Sequence, residues 1–389
     1  MNSQLADPSC VYLDHAAATP VRDHVADAHA ELVNEFFYNP HSAHAYSEKC
    51  LAAINKAGSD LLDLLGIEAE ECELTWTSGG TEANNLAIVG CLRDLPGKHP
   101  VMVEQTAHSS VLSPANALED EGYPCFSLPV DKNGKVDLQS LESSLPAGEK
   151  GGLLAVCHVN NETGCVQNLE EIRDWMDTCM PDAYLCVDAL QSLGKIEIPW
   201  DHARIDYLTL GGRKIGGPAA SGLLIRRPGT PLKPLMFGGG QQRGLRPGTM
   251  DTVSIVEFVQ AAKAAGAEKT EEFIRIKALN RGLRQKLMEI PELTPVIISP
   301  EDASPYILNF SFPGYRSAIL MRLLSEENII VATGSACSAK AEGASHVLES
   351  MGIDRKTADG ALRVSFGWTT TAADIERLVG EIISVIQEY

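Results

Sequence analysis

Seven short runs of apolar and β-branched residues, separated by segments of helix or turn length, constrain the fold most strongly. They span residues 73–77, 101–104, 125–128, 153–158, 184–187, 205–210 and 223–225. Strands that are apolar along their whole length are typical of a mainly parallel sheet covered by helices on both faces. Only a Gly-rich loop joins the last two runs, and it is too short for a helical crossover. We therefore predict an α/β fold with a seven-stranded sheet whose final strand is antiparallel.

The pattern changes after Gly248. Residues 253–289 are rich in Ala, Glu, Lys and Leu and predict one long helix. Strands are predicted near 307–312, 329–333 and 362–366, followed by an amphipathic helix over 372–387. In the first half, a helix is predicted over 82–93 with Thr81 as its cap. We expect a large domain of residues 16–252 and a smaller α+β domain of residues 1–15 and 253–389.

The charge balance limits the partners. The 389 residues include 52 acidic and 32 basic side chains, a formal net charge of −20. That field opposes nucleic acid and anionic membrane surfaces. No window approaches eighteen apolar residues, and the start lacks the basic and apolar pattern of a signal peptide. We therefore expect a soluble, cytoplasmic protein. Its ten cysteines are sparse and show no metal-ligand spacing, so we expect no metal site.

Two segments suggest the two ends of a cofactor site. Gly79, Gly80 and Thr81 lie in a loop between a predicted strand and a predicted helix. Glycines and a helix N-terminus offer N–H groups to an anion, so this loop can form a phosphate cup. Asp188 follows an apolar strand, where a carboxylate can pair with a protonated ring nitrogen. Taken separately, Thr81 and Asp188 could instead be helix caps without a ligand.

Two further segments carry nucleophiles. Lys214 sits in a glycine loop directly after a strand, and the neighbouring Arg213 disfavours its ammonium form, as suits a lysine that forms a Schiff base. Cys337 lies among small residues with Lys340 nearby, surroundings that suit a reactive thiolate. Alone, Lys214 could be a solvated turn lysine and Cys337 a half-buried spectator thiol.

In this order within one chain, the four segments resemble the cysteine desulfurases, pyridoxal-phosphate enzymes of the class V aminotransferase family with fold type I. The resembling group carries its cysteine in a long Ser/Thr-Gly-Ser-Ala-Cys loop, here residues 333–337. Further matching segments are 12–20, 39–44, 158–164, 238–240, 246–249 and 362–365. The resemblance therefore covers nearly the whole chain.

The resemblance implies a role for each matched residue. Lys214 would carry pyridoxal phosphate as a Schiff base, Asp188 would pair with the ring nitrogen, and Gln191 would bond the ring hydroxyl. His108 would stack on the ring and move protons. The phosphate would be held by Gly80, Thr81, Arg213 and, from a neighbouring subunit, Thr249.

The substrate-binding residues implied by the resemblance are Asn39, Asn161 and Arg363, the last gripping the amino-acid carboxylate in a bidentate manner. Cys337 would attack the substrate sulfur. The lysine loop departs from the family pattern, because Gly211 and Arg213 stand where a serine and a histidine are usual. A further departure is Trp368, where the family usually has arginine.

The resemblance implies conversion of L-cysteine to L-alanine with a persulfide left on Cys337. It also implies a homodimer and a sulfur-acceptor protein, such as an iron–sulfur scaffold or another carrier. Two alternatives remain open from the sequence. One is a cysteine or selenocysteine lyase or an aminotransferase on the same fold. The other is a non-enzymatic paralogue that delivers or regulates sulfur transfer through contacts.

Overall fold

The structure, a computed structural model, describes residues 7, 9–144, 150–334 and 345–388. Cys337 lies outside the described residues. In the described part the strands are β1 (Val11–Tyr12), β2 (Glu73–Thr77), β3 (Val101–Glu104), β4 (Cys125–Leu128), β5 (Gly151–Cys157), β6 (Asp182–Asp188), β7 (Tyr207–Gly211), β8 (Gly222–Arg226), β9 (Val296–Ile297), β10 (Ile307–Ser311), β11 (Ile329–Ile330), β12 (Ala332–Thr333) and β13 (Ala361–Ser365).

The α-helices of the same part are α1 (Asp23–Glu35), α2 (Ala45–Leu65), α3 (Gly80–Asp94), α4 (Ser109–Asp120), α5 (Leu138–Ser144), α6 (Leu169–Cys179), α7 (Thr252–Met288), α8 (Ser317–Glu326), α9 (His346–Ser350), α10 (Arg355–Asp359) and α11 (Ala372–Glu388). None of these helices is both long enough and apolar enough to cross a membrane.

The largest sheet has seven strands in the order β2-β8-β7-β6-β5-β3-β4. The four pairs β4–β3, β3–β5, β5–β6 and β6–β7 are parallel. Strand β8 runs antiparallel to both β7 and β2. This arrangement confirms the predicted mainly parallel sheet and its antiparallel last strand. The physical reason is the short β7–β8 connection, which leaves no room for a crossover helix.

Both faces of this sheet are buried. Along β5, Leu153 and Ala155 pack in one apolar cluster, and Leu154 and Val156 pack in another on the opposite face. Successive side chains of a strand point to opposite faces, so helices must cover both. The predicted α/β fold class is therefore confirmed.

The remaining strands form two smaller sheets. An antiparallel sheet has the order β12-β13-β10-β9, and β1 pairs with β11 in parallel. The single strand predicted over 329–333 is wrong in this respect. Ile329 and Ile330 pair with β1, whereas Ala332 and Thr333 pair with β13, so the chain changes sheets at Val331.

The predicted long helix is confirmed as α7, whose bounds differ from 253–289 by one residue at each end. Its first half contributes Phe258 and Ala265 to the core beneath the large sheet. Its second half contributes Ile276 and Leu287 to a separate core around the antiparallel sheet. One helix thus joins the two apolar cores.

The prediction that Thr81 caps α3 is wrong. The helix begins at Gly80 and its cap is Gly79, without a side-chain cap hydrogen bond. Gly79 has φ of +154°, a conformation that a side chain disfavours. Thr81 therefore lies inside the first helical turn, and its hydroxyl is not used as a cap.

Candidate active site

A cavity of about 460 Å³ lies at the carboxyl ends of the parallel strands. Its wall includes the last residues of three strands, Cys157, Asp188 and Gly211. This is the edge at which open α/β sheets bind ligands. Of the residues predicted for the site, the cavity is lined by Gly80, Thr81, His108, Asn161, Asp188, Gln191, Arg213, Lys214 and Arg363.

Two predicted residues lie elsewhere on this chain. Asn39 is exposed, and its side-chain oxygen accepts a hydrogen bond from the His41 amide at 3.0 Å. Thr249 is also exposed and does not line the cavity. Cys337, the predicted nucleophile, lies outside the described residues.

The loop between β2 and α3 presents backbone to the cavity. An added Cβ at Gly79 would meet no atom within 4 Å, so the space above this residue is open. An added Cβ at Gly222 of β8 would lie 2.4 Å from the Gly79 carbonyl carbon, so a side chain there would push the loop out of place. The N-terminus of α3 and the Arg213 side chain face the same cavity, which suits a bound anion.

A buried hydrogen-bond chain connects Asp188 with His108. Asn84, fully buried on α3, donates to Asp188 Oδ2 at 2.7 Å and to Ser110 Oγ at 2.9 Å. Its own carbonyl accepts from Thr209 Oγ1 at 2.6 Å. The second carboxylate oxygen of Asp188 accepts from the Leu190 amide at 3.0 Å. These bonds fix the carboxylate at the end of β6.

The same chain fixes the His108 ring. Its Nδ1 accepts from the Ser110 amide at 3.1 Å and lies 2.7 Å from Ser110 Oγ. Because Nδ1 is an acceptor, the neutral imidazole carries its proton on Nε2. Burial lowers the pKa of His108, and the nearby Lys214 lowers it further, while Asp188 opposes both. The ring is therefore held neutral and oriented.

Lys214 meets a wall made by the N-terminal segment. Its Nζ donates to the Ala17 carbonyl, and the Gln191 amide donates to the Ala16 carbonyl at 2.9 Å. Ala16 and Ala17 both line the cavity. The first residues after β1 thus orient two of the predicted cofactor residues.

Arg363 lies in β13, the strand that pairs with both β10 and β12. Its guanidinium donates to Asp14 Oδ1 at 2.6 Å and to the Asn161 carbonyl at 3.0 Å. The side chain is 3% exposed, and its buried Nε has no hydrogen-bond partner among the described residues. A buried donor without a partner is costly, so the guanidinium is suited to a further acceptor such as a carboxylate.

Glu162 touches both ends of the segment that contains Cys337. Ser345 Oγ donates to Glu162 Oε2, and a Cβ placed on Gly334 would lie 2.7 Å from the same oxygen. Burial raises the pKa of Glu162 to about 7, although the Ser345 hydrogen bond and Arg363 act in the other direction. This carboxyl group thus lies next to both Gly334 and Ser345.

The sequence motifs contained two of these supporting residues without indicating their roles. Asn84 stands three residues after Thr81 on α3 and faces the sheet, a placement that helical spacing from the phosphate loop could have indicated. Asp14 belongs to the matched segment 12–20, but no local pattern shows that its partner is 349 residues away. Cys157, which does line the cavity, is a buried thiol, and its burial raises its pKa well above the usual range.

The arrangement fits pyridoxal phosphate. Burial raises the pKa of Asp188, which means that its carboxylate lacks sufficient counter-charge, and a protonated ring nitrogen would provide it. Gln191 offers an amide for the ring hydroxyl, and Lys214 an amine for the aldehyde. The open backbone at Gly79 and the Arg213 cation suit the phosphate. Each functional group of the cofactor therefore has a chemically matched partner in the cavity.

Comparisons with known proteins agree with this chemistry. Residues 11–378 match the family model described as Aminotransferase class-V. The chain is 35% identical over 378 residues to cysteine desulfurase IscS 1 of Archaeoglobus fulgidus, covering 97% of each chain. It is 33% identical to cysteine desulfurase NifS of Azotobacter vinelandii, covering 97% of this chain and 93% of the relative.

Solved structures give the same result. A NifS-like protein superposes with a TM-score of 0.89 at 30% identity, covering 98% of this chain and 100% of that one. SspA in complex with cysteine superposes with a TM-score of 0.76 at 32% identity, covering 91% of this chain and 98% of that one. With a family match over most of its length and relatives above 30% identity, the chain belongs to the class V aminotransferase family and, within it, to the cysteine desulfurases.

Proposed function

We propose that this protein is a pyridoxal-phosphate-dependent cysteine desulfurase that converts L-cysteine to L-alanine and retains the sulfur as a persulfide on Cys337. The observation that carries the proposal is that Lys214, Asp188, His108 and Arg363 all line one cavity. Relatives named cysteine desulfurases cover almost the whole chain and support the same reaction.

The residues of the cavity have separate tasks in this proposal. Asp188, held by Asn84, would keep the ring nitrogen protonated, and Gln191 would bond the ring hydroxyl. Gly80, Thr81 and Arg213 would hold the phosphate. When bound, the cofactor supplies an electron sink for the electrons released at the substrate Cα.

Substrate orientation falls to Arg363 and Asn161. The Arg363 guanidinium is anchored by Asp14 on one side, which leaves its remaining donors for the substrate carboxylate. Lys214 Nζ would then take the Cα proton, with His108 holding its neutral ring beside the reacting centre. These contacts fix which bond at Cα faces the base.

The sulfur step uses the thiolate of Cys337. It attacks the substrate sulfur, forming an S–S bond as the Cβ–S bond breaks, and the electron pair of the broken bond stays on carbon. Protonation of that carbon completes alanine, and the sulfur remains on the enzyme for a protein acceptor such as an iron–sulfur scaffold. The step needs no external oxidant, because substrate carbon is reduced as the two sulfurs join.

Assembly and location belong to the same proposal. We place the protein as a homodimer in which Thr249 reaches the partner's phosphate site. Large apolar side chains left exposed on this chain support an interface, notably Phe37 at 69% and Phe237 at 89% exposure. Phe237 lies twelve residues before Thr249 in the chain. A reducing cytoplasm would keep the Cys337 thiol available.

The division into domains of residues 16–252 and of 1–15 with 253–389 also remains a proposal. Separate apolar cores support it, since one contains Trp76 and Leu154 and the other Leu13 and Val364. Ala265 of α7 lies in the first core and Ile276 in the second, so the change from one core to the other falls within this helix, after the proposed boundary at residue 252.

The test is a product assay on the purified holoenzyme with L-cysteine and a thiol reductant. Alanine, pyruvate and sulfide are measured together in wild type, Cys337→Ser and Cys179→Ser. Cys179 is a free cysteine at the end of α6 and is the matched control. We expect alanine and sulfide in equal amounts from wild type and Cys179→Ser, and neither from Cys337→Ser.

Pyruvate with ammonia in place of alanine would instead indicate a lyase. Alanine formation that survives in Cys337→Ser would remove Cys337 from the reaction. A protein that stays colourless with added pyridoxal phosphate would support the non-enzymatic paralogue.

A further inference from the structure

The loop that carries Lys214 is held from outside the cavity by the segment between Thr19 and Arg22. Thr19 donates from its amide to the Arg213 carbonyl at 3.0 Å and from its hydroxyl to the Lys214 carbonyl at 3.2 Å. Arg22 donates from its amide to the Gly216 carbonyl at 2.9 Å and from Nε to the Ile215 carbonyl at 3.1 Å. Thr19 and Arg22 therefore donate hydrogen bonds to four consecutive carbonyls of the lysine loop, those of residues 213–216.

Arg22 also packs tightly against this loop. A Cβ on Gly216, which has φ of +82°, would lie 2.8 Å from Arg22 Cγ. The arginine is buried, and its Nη1 forms an ion pair with Glu268 at 2.8 Å. The stem and the head of this side chain are both fixed, so the carbonyls it binds are fixed as well.

Trp368 supplies the remaining contact. The Arg22 guanidinium carbon lies 5.6 Å from the centre of the Trp368 ring, within the range of a cation–π interaction. An arginine at position 368 would set a second cation against Arg22, whereas the tryptophan ring attracts it. The Trp368 ring therefore helps to hold the Arg22 guanidinium in place.

We propose that Arg22, held in place by Trp368, is a positioning residue for Lys214. It fixes the backbone from which Nζ enters the cavity, so that the amine meets the cofactor aldehyde without a search over loop conformations. This inference rests on the proposed function, in which Lys214 carries pyridoxal phosphate. It adds a role for Arg22 and Trp368, which do not line the cavity proposed to bind the cofactor.

The test measures how fast cofactor-free protein forms the Schiff base with added pyridoxal phosphate, followed by its absorbance band. The variants are Arg22→Met, Trp368→Leu and Trp368→Phe, each with its urea unfolding midpoint. The matched control is Arg227→Met, because Arg227 lies 4.7 Å over the Trp200 ring and its Nε donates to the Ile205 carbonyl at 3.0 Å.

Arg22→Met is expected to slow Schiff-base formation by about tenfold and to shift the pH at which the absorbance band titrates. Trp368→Leu should slow it by a smaller factor, and Trp368→Phe, which keeps an aromatic face, should restore most of the wild-type rate. Arg227→Met should load at the wild-type rate even where its unfolding midpoint falls by as much as that of Arg22→Met.

Equal loading rates for folded Arg22→Met and Arg227→Met overturn the proposal. Where Arg22→Met does not fold, the comparison of Trp368→Leu with Trp368→Phe is the test. Identical rates of Schiff-base formation in these two variants overturn the proposal. Borohydride reduction and peptide mapping of loaded wild type separate this failure from that of the proposed function. A cofactor found on wild-type Lys214 leaves the function standing, and a cofactor found elsewhere overturns both.

Discussion

Asn84 offers the sharpest test of how the cofactor site is built. Replacement by alanine removes one hydrogen bond to the Asp188 carboxylate and two bonds to the hydroxyls of Ser110 and Thr209. A hydrogen bond to a charged group contributes about 1.5–3 kcal/mol and a neutral one about 1 kcal/mol. The side chain is fully buried, so water cannot replace these partners without entering the core.

We therefore expect Asn84→Ala to lower the free energy of unfolding by about 3 kcal/mol or more. The loss of the donor also raises the pKa of Asp188, which burial already raises. A carboxyl group that is protonated more readily is a poorer partner for the ring nitrogen, so the affinity for pyridoxal phosphate should fall by about tenfold or more.

Urea unfolding of the cofactor-free protein and titration with pyridoxal phosphate measure the two effects. Asn85→Ala is the control, because Asn85 is the next residue on α3 and makes only an exposed bond to the Thr81 carbonyl. Its effect on stability should stay below about 0.5 kcal/mol. Equal stability and equal cofactor affinity for the two alanine variants would refute the role assigned to Asn84.

Three further predictions concern other parts of the site. Burial raises the pKa of Glu162 to about 7, so its contribution to stability is complete in acid and is lost as pH rises through 7. Glu162→Gln keeps an acceptor for Ser345, so above pH 8 its free energy of unfolding in urea should be a few kcal/mol higher than that of wild type and should no longer show this pH dependence. A pH dependence that survives in the variant contradicts the assignment. Gly211 has φ of −158°, and an added Cβ would lie 3.5 Å from the Ser221 carbonyl oxygen, an ordinary contact. Gly211→Ser should therefore fold normally and bind pyridoxal phosphate about threefold to tenfold more tightly in equilibrium titration, because it adds a hydroxyl near the phosphate loop; weaker binding counts against that loop as the phosphate site. Arg363→Lys keeps the charge but loses the planar fork, so KM for L-cysteine should rise by about tenfold in initial-rate assays, and an unchanged KM would show that the carboxylate binds elsewhere.

Much of the large sheet could be predicted because its strands are buried on both faces. Residues 153–157 are apolar at every position, as is typical of a strand that is covered by helices on both faces. The reversed direction of β8 follows from the length of one loop. The helix α7 could be placed to within one residue at each end because no proline interrupts its composition.

Contacts between distant parts of the chain could not be predicted in the same way. The run 329–333 has a single local character, yet Ile330 and Ala332 pair with strands of different sheets. The bond from Arg363 to Asp14 joins residues 349 positions apart. Such pairings depend on which elements pack together, and local propensity contains no information about them.

The site was predictable where motif and chemistry coincide and not where residues act through others. Lys214 and Asp188 stand in segments whose residue types suit one cofactor, and both line the cavity. Asn84 and Arg22 act through hydrogen bonds to those segments. An asparagine inside a helix and an arginine before one have many ordinary roles, so their positions alone indicate nothing specific.

The most direct measurement of the central claim is a single turnover with less L-cysteine than holoenzyme, stopped by alkylation and divided between amino-acid analysis and peptide mass spectrometry. The proposed function predicts one alanine for each Cys337 peptide that carries one added sulfur atom. Alanine without added sulfur on Cys337, or pyruvate in its place, would contradict it.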